Sequence, residues 1–195
     1  MNGLIIILLY IFIIAIIIII GLEKNEGIIY VKSTIDNDEY LVRDLPDKVE
    51  AANMLAQIKA NMFKLRDYLV EHIDEYPDYK PYIKQLGEKL KDDIVINESS
   101  ADSAYTSYSV NKGEQIVFCI RSKYDGTIHT LNLLMYVAIH EMAHVACPEY
   151  GHGELFKKIF AFLLDTAIKL NIYTKVDFYE DPTEYCGMIV SESII

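Results

Sequence analysis

The chain has 195 residues, with 18 Lys+Arg against 29 Asp+Glu, a net charge of −11 at neutral pH. That length holds one modest domain with extras and excludes two full-sized ones. The acidic balance repels a phosphate backbone, so non-specific nucleic-acid binding is disfavoured. The three cysteines, Cys119, Cys147 and Cys186, are an odd number, form no dense framework and leave the redox compartment undefined.

The chain opens on an uncharged apolar run from Leu4 to Leu22, LIIILLYIFIIAIIIIIGL. As a helix rising ~1.5 Å per residue, the run matches the ~30 Å of a bilayer core. No basic segment precedes it and no small-residue cleavage site follows, so a cleaved signal peptide fits less well. The expectation is a transmembrane anchor over 1–22 and a single-pass membrane protein. Glu23, Lys24 and Glu26 show no Lys/Arg bias that would set its orientation.

A polar linker over 23–44 follows, with a short strand at Ile28–Lys32. Asp44-Leu45-Pro46-Asp47 then reads as a helix start. Apolar residues recur at Ala51, Leu55, Ile58, Met62, Leu65, Leu69, Ile73 and Tyr76 in steps of three and four, which predicts a long amphipathic helix ending near Pro77. A second helix over Tyr79–Lys91 is weakened by Gly87. Asp93–Asn97 reads as a strand and Ser99–Ser103 as a turn. Tyr105–Val110 and Gln115–Ile120 form a predicted hairpin around Asn111-Lys112-Gly113-Glu114. An apolar helix runs from about Thr130 to Ala146, stopped by Pro148. A last helix follows Gly153 to about Leu170, and the acidic tail from Tyr173 reads as irregular.

The chemistry sits in the apolar helix. His140-Glu141-Met142-Ala143-His144 is H-E-x-x-H. Residues four apart on a helix lie about 40° apart in projection, one turn along, so both imidazoles reach one ion from the same face. Glu141, beside them, can take a proton from a water on that ion. Polar His and Glu inside a helix as apolar as Leu131–Ala146 cost free energy unless they are paired or metal-bound. A catalytic zinc takes three protein ligands and keeps one position for water. His152 is the expected third ligand, because Pro148 ends the helix and Gly151 and Gly153 permit a tight return. Glu154 and Cys147 are the alternatives. Metzincins need Gly at position 147 and His at position 150; Cys147 and Tyr150 stand there, which excludes that class.

HEMAHVACPEYGHGELF resembles the active-site stretch of WLM-type and SprT-like metallopeptidases, proteases that digest protein crosslinked to DNA. A closer resemblance, from about Ser109 to Met188, is to uncharacterised WLM-like metallopeptidases of nucleocytoplasmic large DNA viruses. It is carried by NKGEQIVFCIRSK, the helix through HEMAH, GHGELF, NIYTKVDF and YCGMIV. The resemblance implies an α+β fold, a small zincin-like domain over 45–195 with its core at 93–172, placed after the transmembrane helix. It also implies a host or virion membrane as the location. The acidic charge and the apolar run depart from a DNA-repair protease, so that role is not carried over.

The expected activity is peptide-bond hydrolysis by a zinc-activated water, with Zn2+ on His140, His144 and His152, Glu141 as base, and a protein or peptide as substrate. The alternatives are a virion or structural protein with a non-catalytic metal site, and a DNA–protein crosslink protease. The hairpin before the active helix could offer its edge strand to a peptide. Tyr150, Tyr173, Tyr185 and Arg121 are candidates for stabilising an oxyanion. His72 and His129 read as ordinary histidines, and Cys119 and Cys147 as small core residues.

Overall fold

The computed structural model describes residues 27–195 together with Phe12 and Ile13. The segment read as a linker carries two strands, β1 (Ile28–Lys32) and β2 (Glu39–Arg43), paired antiparallel from Ile28–Arg43 to Lys32–Glu39. β2 alternates in burial rather than in residue type, and its Tyr40 and Val42 turn inward.

Helix α1 (Lys48–Glu71) is the pillar of the domain, touching the β1–β2 hairpin, the following strand and three helices that come after it. Its three-and-four spacing puts Ala51, Leu55, Ile58, Met62, Leu65 and Leu69 on one fully buried stripe. Burying each large side chain there is worth about 1.5–3 kcal/mol. The helix stops earlier than its periodicity predicts. Two short 3-10 turns, Ile73–Glu75 and Pro77–Tyr79, lead into α2 (Lys80–Lys89). At its start, Asp47 makes no side-chain cap; its carboxylate goes to Arg121 instead.

Strand β3 (Val95–Glu98) pairs parallel with β5 (Gln115–Phe118), and β4 (Tyr108–Val110) pairs antiparallel with β5. The order β3-β5-β4 leaves β4 at an edge, beside helix α3 (Leu131–Ala146). Thr130 Oγ1 accepts the Leu133 N–H at 3.4 Å to cap α3, and the helix ends before Pro148, as its sequence predicts. Helix α4 (Glu154–Lys169) packs on α3 through Phe156, Ile159, Phe160 and Leu163.

The tail is more ordered than its composition predicts. It holds a hairpin, β6 (Thr183–Tyr185) and β7 (Met188–Val190), joined by Cys186-Gly187 with φ of +52° and +83°. Positive φ at both central residues is the two-residue turn whose twist suits a hairpin. A disulfide joins Cys186 to Cys119, 67 residues away in sequence, and Cys147 is the free, buried cysteine.

The anchored fold class and the single-pass localisation expected from the sequence are corrected here. Among the described residues no helix is long and apolar enough to cross a membrane. α1 has 24 residues but carries Lys48, Glu50, Lys59, Lys64, Arg66, Asp67 and Glu71. α3 is apolar but has 16 residues, or about 24 Å against the ~30 Å of a bilayer core, and it packs inside the domain. The run expected to span, at 4–22, lies outside the described residues apart from Phe12 and Ile13. The described chain is a mixed α/β domain.

Candidate metal centre

His140 and His144 stand one turn apart on α3, and His152 reaches them from the loop before α4. The three Nε2 atoms form a triangle with each side 3.1 Å. Mutual hydrogen bonds cannot satisfy that triangle. Each Nε2 of a neutral imidazole is a donor or an acceptor, never both, so at least one side sets like against like. A cation at the apex removes the conflict. Zinc–nitrogen bonds of about 2.0–2.1 Å at tetrahedral angles place ligand nitrogens roughly 3.3 Å apart, a few tenths from what is found. The donor set therefore fits, and the triad could hold a metal ion.

The surroundings keep the His140 and His144 rings neutral, as ligation requires. Burial, with the neighbouring imidazoles His144 and His152, lowers His140 to about 3. Burial, His152 and the nearby Lys112 ammonium lower His144 to about 4. Phe156 backs all three rings, with centroids 5.0, 4.3 and 4.8 Å from His140, His144 and His152. Phe160 adds an edge contact to His140 at 5.2 Å.

Glu141 is buried at 5% exposure, yet its side chain lines the same cleft. Burial pushes its carboxyl up to about 7, against hydrogen bonds from the Ser109 hydroxyl and N–H that favour the charged form. The cleft, of about 570 Å³, is walled by the β4 segment on one side and α3 on another, with Tyr185, Met188 and Val190 of the C-terminal hairpin completing it.

The other candidates fall elsewhere. Glu154 is exposed and pairs with Lys157 at 3.0 Å. Neither Glu154 nor Cys147 belongs to the ligand cluster found among the described residues. Tyr150 is 90% exposed. Tyr173 is buried beside Tyr136, its hydroxyl accepting the Val176 N–H at 3.3 Å. Arg121 is buried outside the cleft, its Nε on Glu98 at 2.7 Å and its Nη1 on Asp47. His72 stacks on Tyr68 and bonds the Tyr68 carbonyl. His129 is 3.3 Å from the Cys186 N–H and 3.9 Å from Glu184. Of the tyrosine candidates, Tyr185 lines the cleft, its hydroxyl bonded to Ser107 Oγ.

Sequence reasoning passes over Ser107, Ser109 and Tyr136. Only Tyr136 leaves a local trace, one helical turn before His140 and so on the same face.

Fold and site together define a mixed α/β protein with a three-histidine centre able to hold a metal ion. No family model matches the chain. Protein R325 of Acanthamoeba polyphaga mimivirus is 46% identical over 187 residues, 96% of this chain and 94% of that protein. Protein 136R of Invertebrate iridescent virus 6 is 29% identical over 147 residues, 73% of this chain and 79% of its own length. Among solved structures, a mutant of Wss1 from Saccharomyces cerevisiae superposes with a TM-score of 0.48 at 17% identity, covering 68% of this chain and 91% of that one. A second Wss1 structure gives 0.42 at 16% identity, covering 65% and 83%. The chain belongs to the viral family that includes the mimivirus protein R325.

Proposed function

We propose that the protein is a zinc-dependent metallopeptidase acting on a protein or peptide substrate. The observation that carries this reading is the 3.1 Å triangle of imidazole nitrogens with a buried carboxylate on the adjacent residue of the same helix. His140, His144 and His152 hold the ion through Nε2. Zinc, when bound, supplies Lewis-acid activation of a water and of the scissile carbonyl. The Glu141 carboxylate accepts the proton of the attacking water and returns it to the leaving amine. Ser109 steadies that carboxylate through its hydroxyl and N–H.

The cleft suits an extended chain. β4 is an edge strand along one wall, with backbone groups that a peptide can pair with, as in other strand-addition complexes. The net charge of −11 argues against a nucleic acid as the bound polymer.

The test is Glu141→Gln in the full chain, assayed for zinc content and for cleavage of an unstructured protein such as casein. The expected result is wild-type zinc content and folding with hydrolysis lost by at least about a hundredfold, the lower reach of general-base contributions. Cleavage at the wild-type rate would overturn the mechanism. Zinc bound by a wild-type chain that cleaves no peptide would favour a non-catalytic site.

A further inference from the structure

The third ligand is the least supported of the three. His140 and His144 ride on a packed helix, whereas His152 is exposed and follows an exposed stretch, Pro148 to Gly151. Something outside that stretch must fix it if the triangle is to stand ready for an ion.

The hairpin turn between β4 and β5 reaches across to this loop. Lys112 Nζ donates to the carbonyls of Cys147 at 2.9 Å, Pro148 at 3.1 Å and Glu149 at 3.4 Å. The same ammonium lies 4.5 Å from the centre of the Tyr150 ring. Four consecutive residues between His144 and His152 thus converge on one cation. Three backbone carbonyls pointing at a single position repel one another unless a cation sits there, and the end of α3 adds its own partial negative charge.

The turn is built to place that ammonium. Asn111 and Lys112 have φ of +49° and +54°, and the Gly113 N–H bonds the Val110 carbonyl at 3.1 Å. This is the turn that requires positive φ at both central residues, where Asn and Gly are usual and a lysine costs about 1 kcal/mol or more. The turn is also pinned. A Cβ on Gly113 would meet the Lys89 carbonyl oxygen at 3.0 Å and Val145 Cγ1 at 3.3 Å. The hairpin tip is therefore wedged between the ends of α2 and α3, and Gln85 Nε2 takes up the neighbouring Val145 carbonyl at 2.8 Å.

We propose that Lys112 is a positioning residue for the metal centre: by gripping the Cys147, Pro148 and Glu149 carbonyls it holds the 147–151 loop so that His152 meets His140 and His144. This rests on the reading of the three histidines as metal ligands. It has an unusual sign. Lys112 is close enough to His144 to disfavour positive charge there, so by electrostatics alone its removal should tighten cation binding. Positioning predicts the opposite.

The test measures zinc affinity of the full chain by competition with a chromogenic chelator, in wild type, Lys112→Met, Lys112→Gly and Lys112→Arg. The expected result is a loss of about tenfold in Lys112→Met, the lower end for a residue that orients a ligand from outside the coordination sphere. Lys112→Gly, which relaxes the turn, should lose the same affinity while the metal-free protein melts no lower than wild type. Lys112→Arg keeps the charge but spreads it over a planar fork that cannot meet all three carbonyls at one point, so it should recover only part of the affinity lost in Lys112→Met. Unchanged or tighter binding in both Lys112→Met and Lys112→Gly would overturn the proposal. A wild-type chain that binds no zinc would instead overturn the metal-centre reading beneath it, an outcome distinct from the first.

Discussion

Opening the Cys119–Cys186 bond perturbs the domain at a point where packing and site meet. The bond ties the residue after β5 to the turn of the β6–β7 hairpin, and both cysteines are buried. The loop it closes spans 67 residues. In the chain-entropy account, releasing a loop of that length restores roughly 4 kcal/mol of freedom to the unfolded chain. For a protein of this size each kcal/mol moves the melting temperature by about 2–4 °C, so reduction should lower it by roughly 8–16 °C. The hairpin should loosen first, because its strands pair chiefly with each other. Tyr185, Met188 and Val190 would then leave the cleft wall, and peptide hydrolysis should fall before the domain melts. The assay is a thermal melt of the full chain with and without a phosphine reductant, beside a Cys186→Ser variant that reductant should no longer affect. A thiol titration in denaturant without reductant should find one thiol per chain, Cys147. Three thiols, or a melting temperature indifferent to reductant, would refute the reasoning.

Phe156→Ala should destabilise the fold by about 3–5 kcal/mol, as for other buried aromatics, and also weaken zinc binding, because the ring backs all three imidazoles; equal zinc affinity in calorimetry would separate the two roles. Arg121→Met should cost about 3–5 kcal/mol by taking the Arg121 guanidinium from the buried Glu98 carboxylate, which keeps its bond from the Arg43 N–H, and zinc affinity should not change; denaturant melts and the chelator assay check both. Burial lowers the pKa of His129, against the raising effects of Glu184 and Asp125. The unfolded chain therefore takes up this proton first, so the stability from a neutral His129 is full above about pH 6.5 and is lost as the pH falls toward its folded value. His129→Gln should flatten that part of the acid limb in metal-free melts, and an unchanged slope would show that the histidine is not responsible.

The parts of this molecule legible in its sequence are those written in local spacing. Steps of three and four residues mark α1, a turn of helix between His140 and His144 aligns their rings, and Pro148 with the flanking glycines announces the return to His152. What stayed hidden depends on partners far along the chain. Arg121 reads as a catalytic candidate until Glu98 and Asp47 are found beside it, 23 and 74 residues away. Cys119 looks like a small core residue until Cys186 meets it. β2 and the C-terminal hairpin are short and partly polar, so their pairing shows only once α1 and the disulfide give them a surface to close on. The membrane expectation rested on the length and apolarity of the 4–22 run, and no described helix combines the length and apolarity it requires.

The split of the triad between a rigid helix and a clamped loop also governs how an ion would leave. With two imidazoles fixed on α3, the third stands at a high effective concentration set by the short tether that separates His152 from His144 by eight positions in sequence. An ion slipping from one ring would be recaptured before it escaped, so dissociation would have to wait for the tether itself to swing away. Metal exchange would then be slow and timed by the opening of the 147–151 loop, and an isotope-exchange rate for zinc would report on the motion of that loop rather than on the strength of any one bond.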